Sequence, residues 1–252
     1  MSEARRAQYL EALGIDVWRA RTPARADATE RSPVPDVGGA RAPDEARTER
    51  PVEGRPGVDD QAWQALRLEV QECTKCPLHR TRTQSVLGVG DRRAEWLVVG
   101  EAPGAEEDRR GEPFVGRAGQ LLDAMLKAIG LARGQNVYIA NVLKSRPPGN
   151  RDPKPEEVAS CLPYLARQIE LIRPVLILAV GRVAAQNLLA TDLPLGRLRG
   201  RVHSFGPLNS PFIVTYHPAY LLRTPADKRR AWEDLKFARN VFRELVARGT
   251  RH

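Results

Sequence analysis

Along the chain, short uninterrupted apolar runs alternate with stretches in which apolar residues recur every third or fourth position. "EWLVVGE", "NVYIANVLK" and "VLILAVG" are apolar runs of strand length and read as buried strands. "AGQLLDAMLKAIG" places Leu121, Leu122, Met125, Leu126 and Ile129 on one helical face. "DDQAWQALRLEVQE" has the same period behind a capping aspartate, so the folded domain begins near Asp59. "KPEEVASCLPYLARQIELIRP" predicts a long helix stopped by Pro174, despite Pro163 near its start. "RVAAQNLLA" and "ADKRRAWEDLKFARNVFRELVARG" read as later helices, and "GRVHSF" and "PFIVTYHP" as later strands. Strands alternating with helices predict an α/β fold with a parallel sheet covered on both faces. Ligands on such sheets bind beyond the carboxyl ends of the strands. Three stretches fall there: the loop after "WLVVG", the loop after "VYIAN", and "YHPAYLLR" after "FIVT".

The pattern differs upstream. Residues 1–20 hold a short amphipathic peptide, with Tyr9, Leu10, Leu13, Ile15, Val17 and Trp18 able to form one face. It is read either as a peptide for a protein partner or as a frayed helix docked on the main domain. Residues 21–57 are rich in Pro, Ala, Arg and acids and almost lack large apolar side chains, which predicts a disordered linker. The domain is expected over 58–252. The charged start "MSEARRAQYLEALG" has no apolar signal core, and no segment approaches the ~20 apolar residues of a membrane span. The expectation is a cytoplasmic, nucleoid-associated monomer with no membrane partner. Forty Lys and Arg against 31 Asp and Glu give a net charge of +9, which favours a polyanionic partner such as nucleic acid.

Against that positive balance, "GEAPGAEEDRRGEPFVGRAG" places four carboxylates by Asp108, namely Glu101, Glu106, Glu107 and Asp108, directly after a buried strand. The loop is neither a P-loop nor a G-x-G-x-x-G turn. Each of the three strand ends presents a distinctive polar group: Glu101 with the carboxylate cluster, Asn141, and His217.

With these residues in view, "GEAPGAEEDRRGEPFVGRAGQLLD", "NVLKSRPPGNRDP" and "HPAYLLR" resemble the signature blocks of the type-4 (family-4) uracil-DNA glycosylases, in that family's order over roughly residues 65–245. The resemblance implies a three-layer α/β/α sandwich around a mainly parallel four-stranded sheet. It also implies hydrolytic removal of uracil from DNA, single- or double-stranded, in base excision repair. Such a reaction puts positive charge on the sugar and negative charge on the departing base. A carboxylate suits the cation, so the acids would face the sugar and the basic surface the phosphates. By motif position Glu107 is the favoured water-positioning group, with Glu101 the other candidate and Asp108 and Glu106 behind them. Phe114 would stack on the flipped base, with Gly100 and Ala102 as substrate-binding loop residues. Asn141 would pair with the uracil edge, and His217 would donate to O2 of the leaving base. Leu221 and Leu222 would form a wedge in the base stack. Arg223 and Arg146 would hold phosphates.

"CTKC" and a distant cysteine resemble that family's ligands to a structural 4Fe–4S cluster. Cys73, Cys76 and Cys161 match three positions, but Ser145 stands where the family has its remaining cysteine. The fourth ligand is then Ser145, water or His79, unless the three thiols merely pack. Two other functions remain open at this point. One is a DNA-binding or polymerase-associated module of the same fold without catalysis, and the other is excision of other deaminated bases.

Overall fold

The computed structural model of the protein describes residues 59–249. The peptide 1–20 and the linker 21–57 lie outside the described residues. The elements run α1 (Asp60–Gln71), β1 (Val89–Gly90), β2 (Trp96–Gly100), α2 (Ala105–Arg110), α3 (Arg117–Ala128), β3 (Val137–Asn141), α4 (Pro155–Ile172), β4 (Leu176–Val180), α5 (Arg182–Leu189), α6 (Leu195–Leu198), β5 (His203–Phe205), β6 (Ser210–Thr215), α7 (Pro218–Arg223) and α8 (Lys228–Ala247). Short 3-10 turns lie between some of them.

The strand order is β1-β3-β2-β4-β6-β5. The inner four strands pair in parallel, as expected, with Gly100 opposite Asn141 and Val180 opposite Thr215. The sheet has six strands rather than four, because a short antiparallel strand closes each edge. "GRVHSF" supplies one of these as three residues. The other, Val89–Gly90, is too short to carry an alternation in sequence. Brief edge strands of this kind present few unpaired backbone groups.

Side chains along the central strands alternate between two apolar layers. Leu97 and Val99 pack with Trp63, Leu66 and Val70 of α1 and with Leu165 and Ile169 of α4. Trp96 and Val98 pack with Leu122 and Leu126 of α3 and Leu235 of α8. Helices therefore cover both faces, which is why the strands are apolar throughout. Pro163 does sit inside α4. Its missing bond costs about 3 kcal/mol. Burial of Val158, Tyr164, Leu165, Ile169 and Ile172 on the same helix offsets that cost several times over, at roughly 1.5–3 kcal/mol each. Among the described residues no helix is long and apolar enough to cross a membrane.

Candidate active site

Because β2, β3, β4 and β6 are parallel, their carboxyl ends meet at one edge of the sheet. A cleft of about 780 Å³ opens there, and Glu101, Phe114, Asn141, Arg182, His217 and Arg223 are among its walls.

The four clustered carboxylates have different environments. The stretch read as loop contains a six-residue helix, α2, and three of the acids belong to it. Glu106 is exposed and ion-paired with Arg109. Asp108 is buried and accepts from the Thr83 amide at 2.9 and 3.0 Å and from the Gln84 amide at 3.5 Å. Glu107, the favoured candidate on sequence, has both oxygens on backbone amides: Oε2 takes Gly104 N at 3.1 Å, and Oε1 takes Val115 N at 3.1 Å and Gly116 N at 3.4 Å. It lines the cleft but serves as a brace for two turns. Glu101 accepts no hydrogen bond from the described residues. Burial, and then the negative charge of Asp152, push its carboxyl up to about 7, with Arg182 pulling the other way.

Phe114 is buried, in a backbone conformation with φ of 55°. Its ring centroid lies 5.6 Å from that of His217, the planes inclined by 32°. Gly100 is required by close approach: a Cβ there would come 2.4 Å from Asn141 Oδ1 and 2.6 Å from Phe114 Cζ. Asn141 is 2% exposed, and its Oδ1 has no partner among the described residues. Its backbone carbonyl accepts from Lys144 Nζ at 2.7 Å, and the same ammonium reaches Gln168 Oε1 at 2.6 Å. A buried acceptor without a partner costs about 1–3 kcal/mol. One that faces a cleft marks the place of a ligand donor.

His217 caps α7, its Nδ1 accepting the Ala219 amide at 3.1 Å. That bond places the ring proton on Nε2. Burial foremost, and the nearby positive charge of Arg223, depress the imidazole to about 4, so it is neutral at physiological pH. The result is a neutral N–H donor rather than a cation.

The expected wedge is corrected in one member. Leu221 is 1% exposed and belongs to the core beneath α7, because the short helix must bury one apolar side to dock. Leu222 and Arg223 are exposed at the rim. Arg146 is half-buried, with Nε on Asn150 Oδ1 at 2.8 Å. Ala102 lines the cleft.

The cysteine corner lies in the layer of α1 and α4, outside this cleft. Cys161 is buried on α4, and its Sγ accepts the Lys144 amide at 3.1 Å. Cys73 and Cys76 are half-buried, close enough that their charges act on Cys161. His79 Nδ1 donates to the Cys76 carbonyl at 2.7 Å. Ser145 Oγ accepts from Arg82 Nη1 at 2.9 Å, and the same guanidinium reaches the carbonyls of Val70, Gln71 and Cys73 at 3.4, 2.6 and 3.3 Å. Three thiols and a hydroxyl held by a cation leave the four-thiolate set of a 4Fe–4S cluster one thiolate short. Among the described residues no group of three or more His, Cys, Asp or Glu side chains is arranged to hold a metal ion.

Sequence reasoning missed the fourth strand end. Arg182 opens α5, one residue separating it from the end of β4, and ion-pairs with Asp152 at 2.7 Å, and both line the cleft beside Glu101. The signal was available: "VLILAVGR" is a buried parallel strand, so its carboxyl end had to reach the same edge.

The sequence model of the uracil DNA glycosylase superfamily matches residues 87–236. The chain is similar to the type-4 uracil-DNA glycosylase of Archaeoglobus fulgidus, 49% identical over 174 residues, covering 67% of this chain and 87% of that protein. The type-4 enzymes of Pyrobaculum aerophilum and Thermotoga maritima are 43% and 42% identical, over 68% and 69% of this chain and 90% and 92% of their own lengths.

Proposed function

The chain belongs to the uracil DNA glycosylase superfamily and, within it, to the type-4 family, and from that premise we propose that it hydrolyses the N-glycosidic bond of deoxyuridine in DNA, leaving an abasic site. The observation that carries the reading is the buried, unpartnered Oδ1 of Asn141 in a cleft it shares with Phe114 and His217. Uracil N3–H would donate to that oxygen, and the amide nitrogen would donate to uracil O4. Cytosine reverses both polarities and would leave buried groups unpaired, which is a strong basis for rejection. The uracil must first leave the stack. Phe114 then supports its face.

The bond from C1′ to N1 breaks with its electron pair going to the base. His217 Nε2–H meets the charge growing on O2, an oxyanion-type contact. The sugar becomes cation-like, and the Glu101 carboxylate stabilises it and holds the water. The water oxygen bonds to C1′, its proton passes to Glu101, and the released base is protonated by solvent. No lysine lines the cleft among the described residues, so no lyase step is included. A silent DNA-binding module is not favoured, because the relatives this chain resembles over two thirds of its length are type-4 uracil-DNA glycosylases.

Incubation with an oligonucleotide carrying one uracil, followed by alkali, tests the reading. Strand scission at uracil is expected, and none at cytosine or thymine. An intact uracil strand would remove the proposal. A hypoxanthine strand reads the breadth of substrate in the same assay.

Leu222 and Arg223 form the proposed DNA-contacting rim, with Arg146 further along it. Arg223→Ala should weaken binding to all sequences alike and lower the slope of log affinity against log salt by about one. An unchanged slope would take Arg223 off the phosphates.

The 4Fe–4S cluster expected from the resemblance enters only as a structural element. Cys73, Cys76 and Cys161 would supply three thiolates, with a non-thiolate at the corner of Ser145. No step of excision runs through it. Anaerobically purified Ser145→Cys protein should carry more iron and sulfide per chain than the parent and bleach more slowly in air. Equal contents and equal bleaching would show that Ser145 is not at a ligand position.

A further inference from the structure

The turn that carries Phe114 is held from several sides. A φ of 55° is disfavoured for a bulky aromatic residue, and it persists only where the surroundings over-determine it. Three contacts do so. Glu107 holds the Val115 and Gly116 amides from the side of α2. Gly119 of α3 lies against the Phe114 carbonyl so closely that a Cβ there would come 1.7 Å from the oxygen. The third contact is Arg133, in the turn between α3 and β3. Its Nη1 donates to the Pro113 carbonyl at 3.0 Å and its Nη2 to the Phe114 carbonyl at 2.9 Å. Asp123 of α3 aims the guanidinium, 3.0 Å from Nε.

Arg133 is not among the residues that line the cleft. Its planar fork nevertheless matches two successive carbonyls, a geometry that a lysine ammonium cannot reproduce. A peptide flip at Phe114 would withdraw one of these acceptors and turn the ring out of its place beside Gly100 and His217. We propose that Arg133 is a positioning residue for base recognition, which locks the left-handed turn at Phe114 and thereby sets the plane of the ring on which the flipped uracil stacks. The inference rests on the uracil-excision reading.

A double-mutant cycle with Phe114 tests it. Arg133→Gln should lower the single-turnover excision rate by roughly 10- to 100-fold, the scale of losing charge-assisted hydrogen bonds. It should weaken inhibition by free uracil, yet leave binding to DNA that already holds an abasic site unchanged, because that DNA presents no base to stack. Phe114→Ala should be slow in its own right, and adding Arg133→Gln to it should cost no further rate. Arg133→Lys keeps the charge without the fork and should fall between parent and Arg133→Gln. It carries the same comparison should the glutamine variant fail to fold. The inference is overturned by an Arg133→Gln enzyme at the parent rate beside a slow Phe114→Ala. It is equally overturned by an Arg133→Gln loss that persists in the Phe114→Ala background. A parent protein that leaves uracil DNA intact would remove the underlying reading instead, so the two failures are distinct.

Discussion

Glu101→Gln should lower the single-turnover rate of uracil excision by roughly 100- to 10,000-fold, the range for loss of a positioned base. Glutamine keeps the shape and loses the charge and the proton acceptor, so binding of uracil DNA should survive. Of Glu101, Glu106, Glu107 and Asp108, Glu101 has neither a backbone amide nor an ion-pair partner on its oxygens among the described residues, and it stands in the cleft near Asp152 and Arg182. Its carboxyl is raised to about 7, mainly by burial. The active form is the anion, so the parent rate should rise with pH through about 7 and level off above it. Asp152→Asn removes a charge that raises Glu101 and should move the rise to lower pH. Arg182→Gln removes one that lowers it and should move the rise to higher pH. Stability should run the other way. A carboxyl raised in the fold contributes stability that is present below its ordinary range and lost as pH rises through about 7. Glu101→Gln should therefore melt higher than the parent at alkaline pH, which also separates lost catalysis from misfolding. A parent rate that does not change with pH around neutrality would take the water from Glu101.

His217→Ala should cost roughly 100- to 1,000-fold in the same assay, the scale for one oxyanion donor. Nδ1 is committed to the Ala219 amide, so the alanine variant loses the Nε2–H proposed to meet the leaving base. Because the ring is depressed to about 4, it is neutral wherever the enzyme is assayed near neutrality. The pH profile should then show one rise, from Glu101, with no fall on the alkaline side near the ordinary histidine range. A bell-shaped profile with an alkaline limb near neutrality that vanishes in His217→Ala would instead mean an imidazolium donor.

Much of this site was legible without coordinates. The apolar runs are strands because only burial on both faces accommodates them, and parallel pairing sends all their carboxyl ends to one edge. That places Glu101, Asn141 and His217 together, as the cleft has them. The acidic cluster was less legible. Glu106, Glu107 and Asp108 are all carboxylates in one short stretch, and the different duties of Glu107 and Asp108 depend on which backbone amides come within reach. Those amides belong to Thr83, Gln84, Val115 and Gly116, and only folding brings them there. Leu221 and Leu222 pose the same difficulty. A six-residue helix has too few turns to show its inner face, so which leucine is buried depends on the angle at which α7 meets α3.

The linear pattern by itself determined the α/β class, the order of the main strands and helices, and the sheet edge that carries the candidate site. These follow from local period and from the burial of apolar side chains, which need no knowledge of distant partners. The tertiary structure alone decided which carboxylate stays free, which nitrogen of His217 carries the proton, and that Asn141 keeps an unpaired oxygen. It also brought Arg133 to the back of the Phe114 turn, 19 residues from the carbonyl it holds. Hydrogen bonds between segments far apart in sequence have no periodicity to announce them, and electrostatic shifts depend on burial that only the packed chain creates.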